Sequence, residues 1–400
     1  MKYTFLENKY NNKYNKYKLF EYDQFGDEDD EDDEDDEEIV DDRIQHDYEV
    51  KLYKFDEIDD FLERLFSEDV QDREIKLLLE YNRNYINKIG HFYQFSPFFC
   101  NEYGTPLMIA CSLDNIRLVD MLLKEGVDPN IQDKHGNTAL MKACYIQNPE
   151  IVERLLEENI NIDIKNDTSE SALIIICGDD DICEEQFNIA NLLLKNNANT
   201  ELKNKFGETA LMKAVKQSNY NLVELLLSYG ANINTQNSDG ESVLKIAYED
   251  KEQDIFELLL EEGADPNIQN KTGYTVLNSA IYESDYDYSK LLLEHGANPN
   301  SQNVDLETPL SEACRYEENT SIVKLLLEHG ADPNIQDKDG CTALMKACVY
   351  DNFEITGLLL FYGANPNIES KNGNTALTYA KRRKRTGIIN LLLEHGAEES

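Results

Sequence analysis

The stretch Asp337–Asn367 reads DKDGCTALMKACVYDNFEITGLLLFYGANPN, and its punctuation decides the fold. Asp339-Gly340 marks a turn. Leu344, Ala347 and Cys348 follow at i, i+3, i+4 spacing, the apolar face of a short helix. Asp351-Asn352 breaks that helix. A second helix is predicted to run to Leu358-Leu359-Leu360, and Gly363 ends it as a C-terminal cap that tolerates positive φ. Neither helix is long enough to hold together alone in water. Each needs a neighbour over its apolar face.

Repetition supplies the neighbours. A Thr or Ser opens the same unit at Thr105, Thr138, Ser171, Thr209, Ser242, Thr275, Thr308, Thr342 and Thr375, with a leucine two residues later each time. Successive openings are 33, 33, 38, 33, 33, 33, 34 and 33 residues apart. A turn–helix–helix period near 33 is the signature of a solenoid, in which each unit completes the core of the next.

These units resemble the ankyrin repeat. Thr105-Pro106-Leu107 and Thr308-Pro309-Leu310 carry that family's opening, and Gly263-Ala264-Asp265-Pro266-Asn267 and Gly330-Ala331-Asp332-Pro333-Asn334 its closure. The resemblance implies an all-α ankyrin-repeat solenoid with short turn or hairpin tips and nine repeats over 101–400. One position departs from the family. The histidine that usually follows Thr-Pro-Leu is replaced by Met108, Met141, Ile174, Met212, Lys245, Asn278, Ser311, Met345 and Thr378. That histidine normally ties neighbouring repeats by hydrogen bonds. The expectation is a softer coupling, with methionine packing in its place in four repeats.

Ahead of the array, 53–100 reads as a degenerate helical cap. Phe55, Ile58, Phe61, Leu62 and Leu65 form one helical stripe, and Leu77-Leu78-Leu79-Glu80 matches Leu291-Leu292-Leu293-Glu294 of a regular unit. An aromatic link follows, with Phe92, Tyr93, Phe95, Phe98 and Phe99. It is expected to fold back over the first regular repeat, with an exposed docking motif as the alternative. Residues 1–52 are expected to be a disordered, acidic low-complexity arm, because the unbroken acidic run Asp27–Glu38 repels itself. The run is either a solubilising tail or a lure for basic proteins. In the third unit, the longer spacing places extra residues around Gly178–Gln186, in a loop that spares the stacked core.

Across the chain 79 acidic side chains outnumber 38 basic ones, a net charge of −41. Such a field repels nucleic acid and anionic lipid and favours basic partners. Met1–Phe20 lacks the apolar core of a signal peptide, and no apolar run is long enough to cross a bilayer. The expectation is a cytoplasmic or nuclear monomer that binds other proteins, without membrane or direct nucleic-acid contact.

Chemistry is harder to find. Cys111, Cys144, Cys177, Cys314 and Cys348 share one repeat position, where a free thiol acts as a small buried hydrophobe. Equivalent positions in adjacent repeats stand about 10 Å apart, too far for a disulfide. No C-x-x-C pair suggests zinc. Cys341, on the turn, is expected to be exposed. His295, His329 and His395 precede the glycine that ends a second helix, where positive charge suits the helix terminus. No nucleophile elbow, phosphate loop or dinucleotide turn is present. The chain is read as non-enzymatic, with no catalytic residue, cofactor or metal.

The leading reading is therefore a protein-binding scaffold using the concave face of the array. The alternatives are a ubiquitin-ligase-type substrate adaptor or host-directed effector, against which the lack of a further module after the array counts, and an acidic binder or chaperone of basic proteins. Lys381–Arg385 reads either as a nuclear import signal or as a solvated turn; pairing with the acidic run would be weak at physiological salt. The resemblance implies that the two residues after the small pair of each first helix contact partners. They include Tyr145-Ile146, Tyr282-Glu283, Arg315-Tyr316 and Val349-Tyr350. Tyr282, Tyr316 and Tyr350 are read in consecutive register, with Arg315 beside them and Phe206 and Tyr274 at turn tips. Tyr and Arg dominate binding hot spots, so Tyr145, Phe206, Tyr274, Tyr282, Arg315, Tyr316 and Tyr350 are the candidate partner-binding residues. The competing reading is that the tyrosines cover their own repeats.

Overall fold

The computed structural model describes Phe55 and residues 57–67, 70–93, 101–180 and 182–399. The expectations for Asp27–Glu38 and for Phe95, Phe98 and Phe99 fall outside the described residues. The first elements are α1 (Ile58–Leu65) and α2 (Asp72–Tyr81), whose buried side chains are Phe61, Leu62, Leu65, Ile75, Leu78 and Leu79. An antiparallel pair follows, β1 (Gly90–Tyr93) with β2 (Asn101–Gly104), Gly90 opposite Gly104 and Tyr93 opposite Asn101. This strand pair was not expected; it closes the backbone of the aromatic link onto the start of the first regular unit.

Two rows of helices make up the rest. The first row holds α3 (Pro106–Ser112), α5 (Ala139–Ile146), α7 (Ala172–Cys177), α9 (Ala210–Lys216), α11 (Val243–Glu249), α13 (Val276–Tyr282), α15 (Pro309–Ala313), α17 (Ala343–Tyr350) and α19 (Ala376–Arg383). The second row holds α4 (Ile116–Lys124), α6 (Pro149–Leu156), α8 (Glu184–Lys195), α10 (Tyr220–Ser228), α12 (Gln253–Glu261), α14 (Tyr286–Glu294), α16 (Thr320–Glu328), α18 (Phe353–Phe361) and α20 (Thr386–Glu394). Each helix packs on its partner within the unit and on the same-row helix of the next unit.

The recurrent Thr or Ser explains where each first-row helix starts. In most units its hydroxyl accepts a hydrogen bond from the third amide of the helix, as Thr342 does from Met345 at 3.4 Å, while the Thr275 hydroxyl donates to the Asn278 side chain at 2.9 Å. Leu344, Ala347 and Cys348 then turn into the core and are fully buried. The turn glycine has a separate reason. Gly340 sits at φ 76°, and a Cβ there would come within 2.7 Å of the Lys371 amide nitrogen of the next unit. The backbones of successive turns approach too closely for any side chain.

Both packing and hydrogen bonds join the units. Met108, Met141, Met212 and Met345 are buried, but polar ties also run along the turns. Gln269 donates to the Gly273 carbonyl of its own turn and to the Gln302 carbonyl of the next, both at 3.0 Å. Gln132, Gln236 and Gln336 repeat this bridge. Asn267 donates to the Gly296 carbonyl at 3.1 Å and accepts from the Asn298 amide at 2.6 Å, and Asn300, Asn334 and Asn367 do likewise. These Gln and Asn side chains give turn carbonyls and amides their protein partners.

One local expectation holds and one changes. The extra residues of the third unit lie between α7 and α8, outside the stacked core, and the start of α8 is tied in beside them. Gln186 is buried and donates to the Ile176 carbonyl at 2.8 Å and the Asp179 carbonyl at 3.0 Å, while Asn219 of the next unit donates to its oxygen at 2.8 Å. Cys341 is half-buried rather than exposed, because Tyr379 of the next unit lies over it, Oη to Sγ 3.7 Å.

Candidate protein-binding face

The ends of the first-row helices and the turn tips carry exposed aromatic groups. Tyr282 closes α13 and is 68% exposed; Tyr350 closes α17 and is 51% exposed. Tyr145 in α5 and Tyr316 beyond α15 are also exposed. Phe206 is 58% exposed at its tip, with Lys205 Nζ 5.0 Å from its ring centre. Tyr274 is half-buried and hydrogen-bonds Asn303. The register differs from the one read in the sequence. Tyr282 stands seven residues after its opening Thr, Tyr316 and Tyr350 eight. One residue is a rotation of about 100° around a helix, so Tyr282 has the phase of Val349 rather than of Tyr350, and Tyr316 stands past the end of α15 on extended backbone.

Arg315 is held rather than presented. It pairs with Glu307, and its guanidinium feels Tyr350 and Glu312. Burial lowers its proton affinity, but the carboxylates of Glu307 and Glu312 and its other neighbours together outweigh burial and raise it. Lys346 extends the cluster, 3.2 Å from Glu307 and 2.8 Å from Asp337. Burial works against the charge on Asp337, yet Lys346 and the amides of Cys341 and Asp339 prevail and hold its carboxyl below the ordinary range. Glu312 is different: burial pushes its carboxyl up, and the Asn278 hydrogen bond at 3.3 Å and Arg315 offset only part of that.

The sequence reading missed Lys346, Glu312 and their partners. A signal was present at the fourth residue after four of the nine openings, where Lys142, Lys213, Glu312 and Lys346 interrupt largely apolar helices. Pairing across units could not be seen without the stack. Tyr274 and Tyr350 both adjoin Arg315, whereas Tyr145 and Phe206 belong to other units.

The remaining candidates have structural roles. His295, His329 and His395 each place Nδ1 2.9 Å from the carbonyl four residues earlier, capping the end of a second-row helix. The shared-position cysteines are buried free thiols; burial pushes Cys177 and Cys348 up to about 12. Among the described residues no group of three or more His, Cys, Asp or Glu is placed to hold a metal. Lys381, Arg382 and Arg383 end α19, Lys384 takes φ 57°, and Arg385 pairs with Asp351 at 2.8 Å. To be read as an extended peptide this cluster would have to unwind the end of α19.

Two rows of stacked helix pairs, tied along their turns and presenting aromatic and charged groups on a periodic frame, define an interaction solenoid. A family model for ankyrin repeats, in three copies, matches residues 71–166, 107–185, 181–270, 245–337 and 310–400, and the chain belongs to the ankyrin repeat family. Among solved structures it is similar to the crystal structure of the ankyrin repeat domain of Bcl-3, described as a unique member of the IkappaB protein family. The identity is 26% and the TM-score 0.50, over 56% of this chain and 97% of that one. A comparison with curated proteins finds no match. No described helix is long and apolar enough to cross a membrane.

Proposed function

We propose that this chain is a non-enzymatic scaffold that binds partner proteins through the first-row face between Tyr274 and Tyr350. The observation that supports this most directly is the exposure of Tyr282 and Tyr350 beside a cluster in which Arg315 and Lys346 are already positioned by Glu307 and Asp337. Rigid rings lose little entropy on binding, which is why such groups act as anchors. Buried charges within the cluster would be costly to leave unpaired, so they fix the frame that the rings stand on.

The test begins with affinity capture of partners from cells and identification by mass spectrometry. The triple variant Tyr282→Ala, Tyr316→Ala, Tyr350→Ala should then lose roughly 2–4 kcal/mol of affinity for the captured partner, if two of the three are hot spots. Its unfolding midpoint should stay close to that of the parent. Wild-type affinity in the triple variant would refute this face. A second reading, a binder of basic proteins, rests on Asp27–Glu38 and the net charge of −41. It requires partner binding that weakens steeply with salt and is lost on deleting residues 1–52.

A further inference from the structure

The second-row helix α12, QDIFELLLE, buries Ile255, Phe256, Leu259 and Leu260 on one face. The opposite face carries Asp254, Glu257, Leu258 and Glu261 at i, i+3, i+4 and i+7. Together with Tyr220, which starts α10, these four line a shallow groove of about 380 Å³. Leu258 is half-buried and Tyr220 is 40% exposed, so the groove has an apolar side as well as an acidic one.

Its carboxylates are not neutralised within the fold. Among the described residues no cation lies within ion-pair distance of Asp254, Glu257 or Glu261, and Glu257 accepts a hydrogen bond from Gln253 at 2.8 Å. Lys251, just ahead of α12, is engaged by Glu283 at 2.7 Å and Asp285 at 3.3 Å. Other second-row helices balance the matching positions internally. Arg154 of α6 is held by Glu150, Lys290 of α14 by Glu294 and Lys324 of α16 by Glu328. Helix α12 has no such cation and carries extra charge at its end. Glu261 and Glu262 stand where unpaired carbonyls leave a helix negative, and Glu257 and Glu261 repel across one turn. The stripe opposes the helix that bears it, and a cation that relieves it has to come from outside the described fold.

We propose that the groove shared by α10 and α12 docks a basic amphipathic segment of another protein, its Lys or Arg side chains meeting Asp254, Glu257 and Glu261 and one apolar side chain resting on Leu258 and Tyr220. Charge complementarity selects this occupant. The three carboxylates span about 10 Å along the helix, which matches cations two turns apart on a partner helix. A bare ion would leave Leu258 and Tyr220 unused, and anionic lipid would be repelled. The site lies on the second row and does not rest on the first-row face between Tyr274 and Tyr350.

The test uses the full chain and a fluorescein-labelled, alanine-based helical peptide with Lys at i, i+3 and i+7 and Leu at i+4, followed by fluorescence anisotropy at physiological salt. Its Kd should rise about tenfold in Asp254→Asn/Glu257→Gln/Glu261→Gln and about threefold in Tyr220→Ala. The melting temperature of the groove triple should stay close to the parent's, because the change removes mutual repulsion. Glu157→Gln/Glu158→Gln/Glu354→Gln makes an equal charge change at other exposed positions and should alter Kd by no more than about twofold. The same peptide with Glu for Lys should not bind. In the chain without residues 1–52, and in the triple tyrosine variant, the groove triple should have the same effect, which separates this groove from the acidic run and from the first-row face. Absence of binding, equal weakening by the control triple, or binding unchanged by the groove triple overturns the proposal. Calcium binding in calorimetry that the groove triple abolishes would assign the carboxylates to a metal ion instead. A dimer in sedimentation that Tyr220→Ala abolishes would assign the groove to a second copy. Either result overturns it.

Discussion

The first-row face of α13, α15 and α17 and the second-row face of α18 and α20 belong to adjoining units on one period, yet they are finished in opposite ways. On the first, Arg315 and Lys346 are locked by Glu307 and Asp337, and Glu312 is buried among them. On the second, the rings of Phe353 and Phe361 are largely exposed. Both surfaces sit on the same kind of core, the Leu-x-x-Ala-Cys stripe of one row and the triple leucine of the other. The difference shows that a solenoid separates its tasks. Core positions fix the stack, and the surface positions of each row vary without disturbing it.

The sharpest way to break this comparison is to cut the first-row cluster. Lys346→Ala leaves the buried Asp337 carboxylate without its cation and should cost about 2 kcal/mol or more in urea unfolding followed by circular dichroism. A cost near zero would mean that the cluster is surface decoration, no different in kind from the second-row face.

A smaller effect tests the sign of Glu312. Its carboxyl is raised by burial in the folded chain, so the ionised form opposes folding. Stability from this group is therefore present at acid pH and lost as pH rises from the ordinary carboxylate value through the folded one. Glu312→Gln should raise Tm at pH 7 by on the order of 2 °C. The gain should vanish in the acid range; a gain of equal size at all pH values would show that burial of charge is not the cause.

The least effect is expected on the second row. Phe361→Ser removes a ring that is 81% exposed and should change stability by no more than about 0.5 kcal/mol. A large loss would mean that the ring supports the end of the array, and the contrast between the two faces would narrow.

Much of the fold was legible because its determinants recur. Thr342, Leu344 and Gly340 each have counterparts in other units, and the reason each is needed is local: an N-cap, a core contact, a turn with φ above zero. The candidate site was legible only in part. Tyr282, Tyr350 and Phe206 were placed on the surface correctly by their phase. The alignment of Tyr282 with Tyr316 and Tyr350 failed because one residue of offset turns Tyr350 by about 100° on its helix, and Tyr316 lies beyond the end of α15. The polar ties between units were missed for another reason. The hydrogen bonds of Gln269 and Asn267 reach into the following unit, and no single unit displays them.

The sequence by itself determined the period, the two helices of each unit, the buried faces and the positions that stay outside, because those depend on spacing along the chain and on groups within one turn of each other. The tertiary structure alone decided which charge meets which. Lys346 finds Glu307, a residue 39 positions earlier, only when α17 stacks on α15. Phe353 lies over Gly387 only when α20 follows α18 at helix-packing distance. Contacts between units depend on the rise and rotation from one repeat to the next, and those are set by how the side chains of both rows fill the space between them.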